Sequence, residues 1–229
     1  RRWKWIGALA AVVAVAVALA LVFTLTGGGA PSVLGLTVDQ ARVLAEEAGM
    51  TVEVTEEILS LDREAGIVLE QSPEPEMKGR DDVLRLTVTR DAIPVEVESL
   101  DDADSEGDNV ENPDKLPNLI DGKESTVWTT ELYRSAAFGD LKTGVGIDFV
   151  LEEEATVVEL KSSVEGWKGQ LLRFTSSGGM AQVERLSGES TQINTLQSGI
   201  TKGRIWFTGL AKLTDNRWGV ELSEIRFYR

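Results

Sequence analysis

The chain has 229 residues, with 23 Lys+Arg against 38 Asp+Glu, a formal net charge of −15, and neither Cys nor His. That composition excludes a thiol nucleophile, a Ser-His-Asp relay, a His or Cys zinc site and any disulfide. Arg1, Arg2 and Lys4 precede every acidic residue and leave −18 for the remainder, so bulk electrostatics disfavour nucleic acid as a partner.

From Trp5 to Leu25 the only polar residue is Thr24. A helix of this length, rising 1.5 Å per residue, roughly matches a ~30 Å hydrocarbon core. The pattern predicts one transmembrane helix over 5–26. The basic stub 1–4 marks the cytoplasmic side, and Trp3 and Trp5 sit at headgroup level. The Gly-rich linker 27–30 then leads out, so a single-pass membrane protein with extracytoplasmic C-terminal domains is expected. A cleaved signal peptide is the alternative, but its apolar region is usually about 7–15 residues, shorter than this run. The absence of an initial Met suggests a longer protein with a further cytoplasmic-side part.

Residues 31–92 read as a small α+β module. Thr37 and Gln40 form a capping box, Ala41, Leu44, Ala45 and Ala48 make one apolar helical face, and Gly49 stops the helix. Three alternating runs follow: Met50, Val52 and Val54; Ile67 and Leu69; Leu84, Leu86 and Val88. One helix on a three-stranded sheet is expected. Val33-Leu34-Gly35-Leu36-Thr37, Ala48-Gly49-Met50, Gly66-Ile67-Val68 and Gln71-Ser72-Pro73-Glu74-Pro75 together resemble a PASTA domain. The resemblance implies an exported, peptidoglycan-associated module of the kind found on receptor-like Ser/Thr kinases and penicillin-binding proteins. A lone repeat leaves open a plain spacer.

Nine acids and no base lie between Glu96 and Asp114. Such a run reads either as a self-repelling linker or as an oxygen-ligand cation loop, with Asp104, Asp108 and Glu111 as candidate ligands. An EF-hand is excluded, because Pro113 stands where a bidentate Glu is needed.

Residues 95–229 are strand-rich. Val145, Ile147, Phe149 and Leu151 alternate, as do Val158 and Leu160, Leu172 and Phe174, Ile205 and Phe207, and Trp218, Val220 and Leu222. Short strands at this spacing predict an all-β antiparallel sandwich. Asn118-Leu119-Ile120-Asp121-Gly122, Thr126-Val127-Trp128, Val145-Gly146-Ile147-Asp148-Phe149 and Glu224-Ile225-Arg226-Phe227-Tyr228 resemble the discoidin superfamily, the galactose-binding-like jelly roll. Gly107-Asp108, Glu111-Asn112-Pro113, Tyr133, and Phe138-Gly139 with Leu141-Lys142 resemble its version in actinobacterial envelope proteins.

That resemblance implies a structural Ca²⁺ held by Asp121, Thr126 and Glu224, although Lys123 stands where a second acid is common. It also implies a ligand face on the end loops, with Tyr133, Lys142, Trp167 and Trp218 as candidates. Trp218, in an alternating strand, fits the core better than a ligand face, Trp167 between two glycines fits either, and Trp128 fits the core best of all. Carboxylates alone could serve a glycosidase, but nothing in the pattern singles out a pair, and no P-loop or kinase motif occurs. The expected role is non-catalytic: recognition of a cell-wall glycan or muropeptide, or else a scaffold that positions cell-wall synthesis proteins.

Overall fold

The computed structural model describes residues 29–229, which divide into two units between Ala92 and Ile93. The expected membrane helix over 5–26 lies outside the described residues. Among the described residues no helix is long and apolar enough to cross a membrane.

In the first unit Thr37 caps helix α1 (Val38–Glu47). Its side chain accepts from Gln40 N, and Gln40 Oε1 accepts from Thr37 N at 3.0 Å, so two otherwise unpaired helix-start amides are satisfied together. Ala41, Leu44 and Ala45 are buried against a sheet of β1 (Thr51–Ser60), β2 (Val68–Ser72) and β3 (Val83–Asp91). The strand order is β1-β3-β2, with β1 parallel and β2 antiparallel to β3.

In this unit one register differs from the sequence expectation, as does one strand of the second unit, where Leu171 rather than Leu172 is buried. Val68 fills the core while Ile67 and Leu69 are only half-buried. Gly66 turns at φ 78° just before the strand, and the β2–β3 pairing slips between Val68 and Glu70. A one-residue slip exchanges the two faces of a strand.

Gln71 ties the unit's entrance to its turn. Its side-chain oxygen accepts from Val33 N at 2.8 Å, and its amide donates to Pro31 O and Pro73 O at 2.9 and 3.0 Å.

The second unit is a β-sandwich. Its strands are β4 (Pro94–Val95), β5 (Val97–Ala103), β6 (Trp128–Thr129), β7 (Val145–Ser162), β8 (Lys168–Phe174), β9 (Met180–Leu186), β10 (Thr191–Gly209), β11 (Ala211–Thr214), β12 (Arg217–Gly219) and β13 (Glu221–Tyr228). The main path runs β4-β13-β7-β10-β8-β9, with β5 on β7, β6 on β13, and β11 paired to β12. Every one of these pairings is antiparallel.

Two strands are longer than the alternation suggested. Glu152-Glu153-Glu154, which reads as a break, lies inside β7, and the ladder to β10 shifts register beside it. A bulged strand can bend without ending. The core is aromatic: Trp128 stacks on Phe207 at 5.9 Å, and Phe149 meets Phe227 at 4.8 Å. At the unit's limits Ile93 and Arg229 exchange two backbone hydrogen bonds, at 3.2 and 2.9 Å.

Candidate functional site

The acidic segment is neither a linker nor an open loop. Its first half is β5, paired to β7 from Val97↔Leu151 to Ala103↔Gly146. The chain then turns, with positive φ at Asn109 and Asn112, and delivers Glu111 into the interior at 0% exposure. Asp102 Oδ2 accepts from Glu111 N at 2.5 Å, and the Glu111 carbonyl accepts from the Trp128 indole at 2.9 Å.

Four of the sequence candidates converge there. Glu111 Oε2 accepts from Glu131 N at 2.6 Å, and Oε1 accepts from the Tyr133 hydroxyl and from Lys142 Nζ, the latter at 3.2 Å. The same ammonium lies 3.0 Å from the Tyr133 oxygen and 2.9 Å from Asp104 Oδ1, and Asp104 is itself 3% exposed. Tyr133 is fixed by a two-way backbone bridge to Trp218, at 2.9 and 3.0 Å, and by an edge contact with Phe138.

Lys142 is aimed inward by a turn in which Phe138, Gly139 and Asp140 all have positive φ. Two of these carry side chains, and holding them there costs conformational energy that the surrounding contacts must offset. Gly107 makes room, since a Cβ there would stand 2.1 Å from Asp104 Oδ2 and 2.6 Å from Lys142 Nζ.

Burial raises the Glu111 pKa, against the hydrogen bonds from Tyr133, Glu131 and Lys142. Burial and the Glu111 hydrogen bond push Tyr133 well up. For Lys142 burial works downward, but hydrogen bonds with Tyr133, Asp104 and Glu111 outweigh it and keep the ammonium charged. One ammonium therefore sits between Asp104 and Glu111, two of the carboxylates that the sequence offered as metal ligands. The physical reason is simple: an internal cation from the chain occupies the position. Asp108 is exposed and caps Val110 N at 3.2 Å, away from that pair.

Asp121 and Thr126 are hydrogen-bonded to each other. Burial raises the Glu224 pKa, and Asp121 is near enough for its charge to add to that rise. Asp121 accepts from the Thr126 hydroxyl at 2.9 Å and from Lys123 N at 2.8 Å. Glu224 is buried, with Arg226 Nε 3.5 Å from its Oε2, while its Oε1 has no hydrogen-bond partner. An orphaned buried carboxylate oxygen is the kind of group that a hard cation such as Ca²⁺ would satisfy. Lys123 Nζ, 3.9 Å from Asp121, offers a competing charge. Among the described residues no group of three or more His, Cys, Asp or Glu is placed to hold a metal.

The expected aromatic ligand face does not form. Trp167 is fully buried, donates its indole N–H to Ser162 Oγ at 3.2 Å and stands edge-on to Phe207. Tyr133 and Lys142 are spent on each other, and Trp218 is half-buried against the core. Beside the buried cluster the surface instead shows aliphatic side chains: Leu141 (77% exposed), Leu132 and Val110. Trp206, which no motif singled out, is half-exposed, as are Phe174, Trp218 and Tyr228. The same period of two that buries Ile205 and Phe207 turns Trp206 outward, and that was its signal.

No curated protein matches the chain. Among solved structures, a truncated AlyQ with CBM32 and alginate lyase domains shares 12% identity at a TM-score of 0.43, over 60% of this chain and 33% of that one. This chain thus spans about a third of that two-domain relative. The CBM32 of AlyQ in complex with 4,5-unsaturated mannuronic acid shares 14% identity at 0.43, covering 60% of this chain and 98% of its own. The family 32 CBM from Clostridium perfringens NanJ, in complex with galactose, shares 16% identity at 0.40, covering 60% and 98%. Residues 30–90, within the first unit, match the PASTA domain.

Proposed function

We propose that this chain is the non-catalytic, extracytoplasmic binding region of a single-pass envelope protein that engages peptidoglycan, lipid II fragments or another wall glycan. The observation that carries the reading is the match of residues 30–90 to the PASTA domain. Arg1, Arg2 and Lys4 before an apolar run support a cytoplasmic N-terminus, and a receptor-like Ser/Thr kinase or pseudokinase on that side is the proposed full-length setting. Ca²⁺ at Asp121, Thr126 and Glu224 is proposed as a structural cofactor. The test is co-sedimentation of the full chain with purified sacculi, followed by competition with soluble muropeptides. A chain that stays in the supernatant and ignores muropeptides would sink the reading.

A second reading is favoured by one observation. The loop end presents Val110, Leu132 and Leu141 rather than open aromatic rings. Exposed aliphatic side chains around a rigid polar cluster suit a protein partner better than a sugar, and such a partner would belong to cell-wall synthesis. Under this reading a partner protein stays bound when excess glycan is added.

A further inference from the structure

The solvent face of the sandwich sheet, remote in kind from the end loops, carries a more open arrangement. Cross-strand register builds it: Asp148 faces Arg204 and Gly146 faces Trp206 across β7 and β10. Across β8, Leu172 faces Arg204 and Gln170 faces Trp206, while Phe174 faces Met180 of β9. Alternate residues of a strand share a face. Lys202, Arg204 and Trp206 therefore point away from the core that buries Gly203, Ile205 and Phe207.

The Trp206 indole lies flat on the neighbouring strand. A Cβ on Gly144 would stand 2.6 Å from the indole nitrogen, and one on Gly146 would stand 3.0 Å from the ring. Two bare glycines give the ring its bed. The Arg204 guanidinium stands 5.4 Å from the Trp206 centroid and 5.8 Å from that of Phe174, so it bridges two half-exposed aromatics. Asp148 pins it through Nε at 2.5 Å and a second nitrogen at 2.8 Å. Lys202 sits 5.5 Å from the Phe174 ring, is exposed, and among the described residues pairs with no carboxylate.

A flat indole held rigid, a side-chain amide beside it and an uncommitted ammonium at the far end suit one occupant. The ring stacks on the C–H face of a sugar, and the ammonium takes a carboxylate. Arg204 is matched by Asp148, and Asp101 stands opposite Asp148 across β5 and β7, so Lys202 is the one point of this face at which an anionic group is taken, and a strand of modest charge density suits it. We infer that the Trp206–Arg204–Phe174–Lys202 face binds a glycan strand bearing carboxylate groups, with Trp206 as stacking platform and Lys202 as carboxylate anchor. The inference deepens the wall-glycan reading and rests on it for the class of ligand.

The experiment titrates the full chain with a hexagalacturonate and with its carboxyl-reduced, neutral counterpart, read by calorimetry and tryptophan fluorescence. The expected result is saturable binding of the acidic hexamer, about tenfold or more tighter than the neutral one. Trp206→Ala abolishes it. Because that change could also loosen the sheet, Lys202→Glu at an exposed position is the second arm, and it weakens binding about tenfold without altering circular dichroism. The inference is overturned if the wild-type chain does not bind the acidic hexamer, if both hexamers bind alike, or if Lys202→Glu leaves affinity unchanged. Sacculus co-sedimentation of the same proteins separates the two claims. Wild-type and Lys202→Glu chains sedimenting equally would overturn this face and leave wall binding standing. Loss of sedimentation by the wild type alongside intact hexamer binding would overturn wall binding and leave the face standing.

Discussion

Lys142 Nζ stands 2.9 Å from Asp104 Oδ1, and both side chains are almost wholly removed from water. Glu111 approaches the same ammonium from the other side, so one positive charge answers two negative ones. Taking ions out of water is costly unless their partners are close and well placed. Removing one member is therefore much worse than never having built the group.

Lys142→Met should lower stability of the second unit by about 3–5 kcal/mol, because it leaves two buried carboxylates facing each other. Urea unfolding followed by tryptophan fluorescence reports it, since Trp128, Trp167, Trp206 and Trp218 all lie in that unit. An unchanged midpoint would show that the ion pairs contribute nothing.

The raised pKa of Glu111 sets a direction for pH dependence. Between the ordinary glutamate value and the raised native one, the folded unit holds a proton that the unfolded chain has released. The Glu111 contribution to stability is complete below that window and is lost as pH rises through it. Glu111→Gln flattens this slope in urea midpoints measured from about pH 4 to 7. Identical curves for the two proteins would contradict the assignment.

In the first unit, Gln71→Ala removes three hydrogen bonds and strands the buried Val33 amide. A loss of about 1–3 kcal/mol is expected. Hydrogen exchange at Val33 N is the specific readout, and protection there should collapse more than at Leu84 or Leu86. Equal loss at all three amides would point to general loosening instead.

Ca²⁺ added to the chelator-treated chain should raise its melting temperature through Glu224. At a hundred times the dissociation constant the linkage is worth about 2.7 kcal/mol. Glu224→Gln should melt identically with and without Ca²⁺. A wild type indifferent to Ca²⁺ would remove the metal from this site.

What the sequence made legible was local. The Thr37–Gln40 box needs partners only three residues apart, and it is found as read. Alternation in β7 and β13 likewise marked the buried side chains correctly, because one face of each meets the core. Ile67 and Leu69 misled, since a single register slip between Val68 and Glu70 is invisible in a pattern of two residues. The buried cluster was only half legible. Tyr133 and Lys142 were picked out as surface groups, yet their partner Glu111 is 22 and 31 residues away, and only the folded pairing reveals that they satisfy one another. Trp206 lies between buried Ile205 and Phe207, so alternation alone marks it as a solvent-side residue without distinguishing it from any other such position.

The two hydrogen bonds between Ile93 and Arg229 carry a mechanical meaning. They join the first and last residues of the sandwich, so tension applied across the unit loads this short seam before it reaches the aromatic interior. The seam opens by peeling, one bond after another, because β4 contributes only Pro94 and Val95 to β13. A single-molecule pull between these ends should therefore show an early, low-force step of a few residues, while the remaining ladder holds.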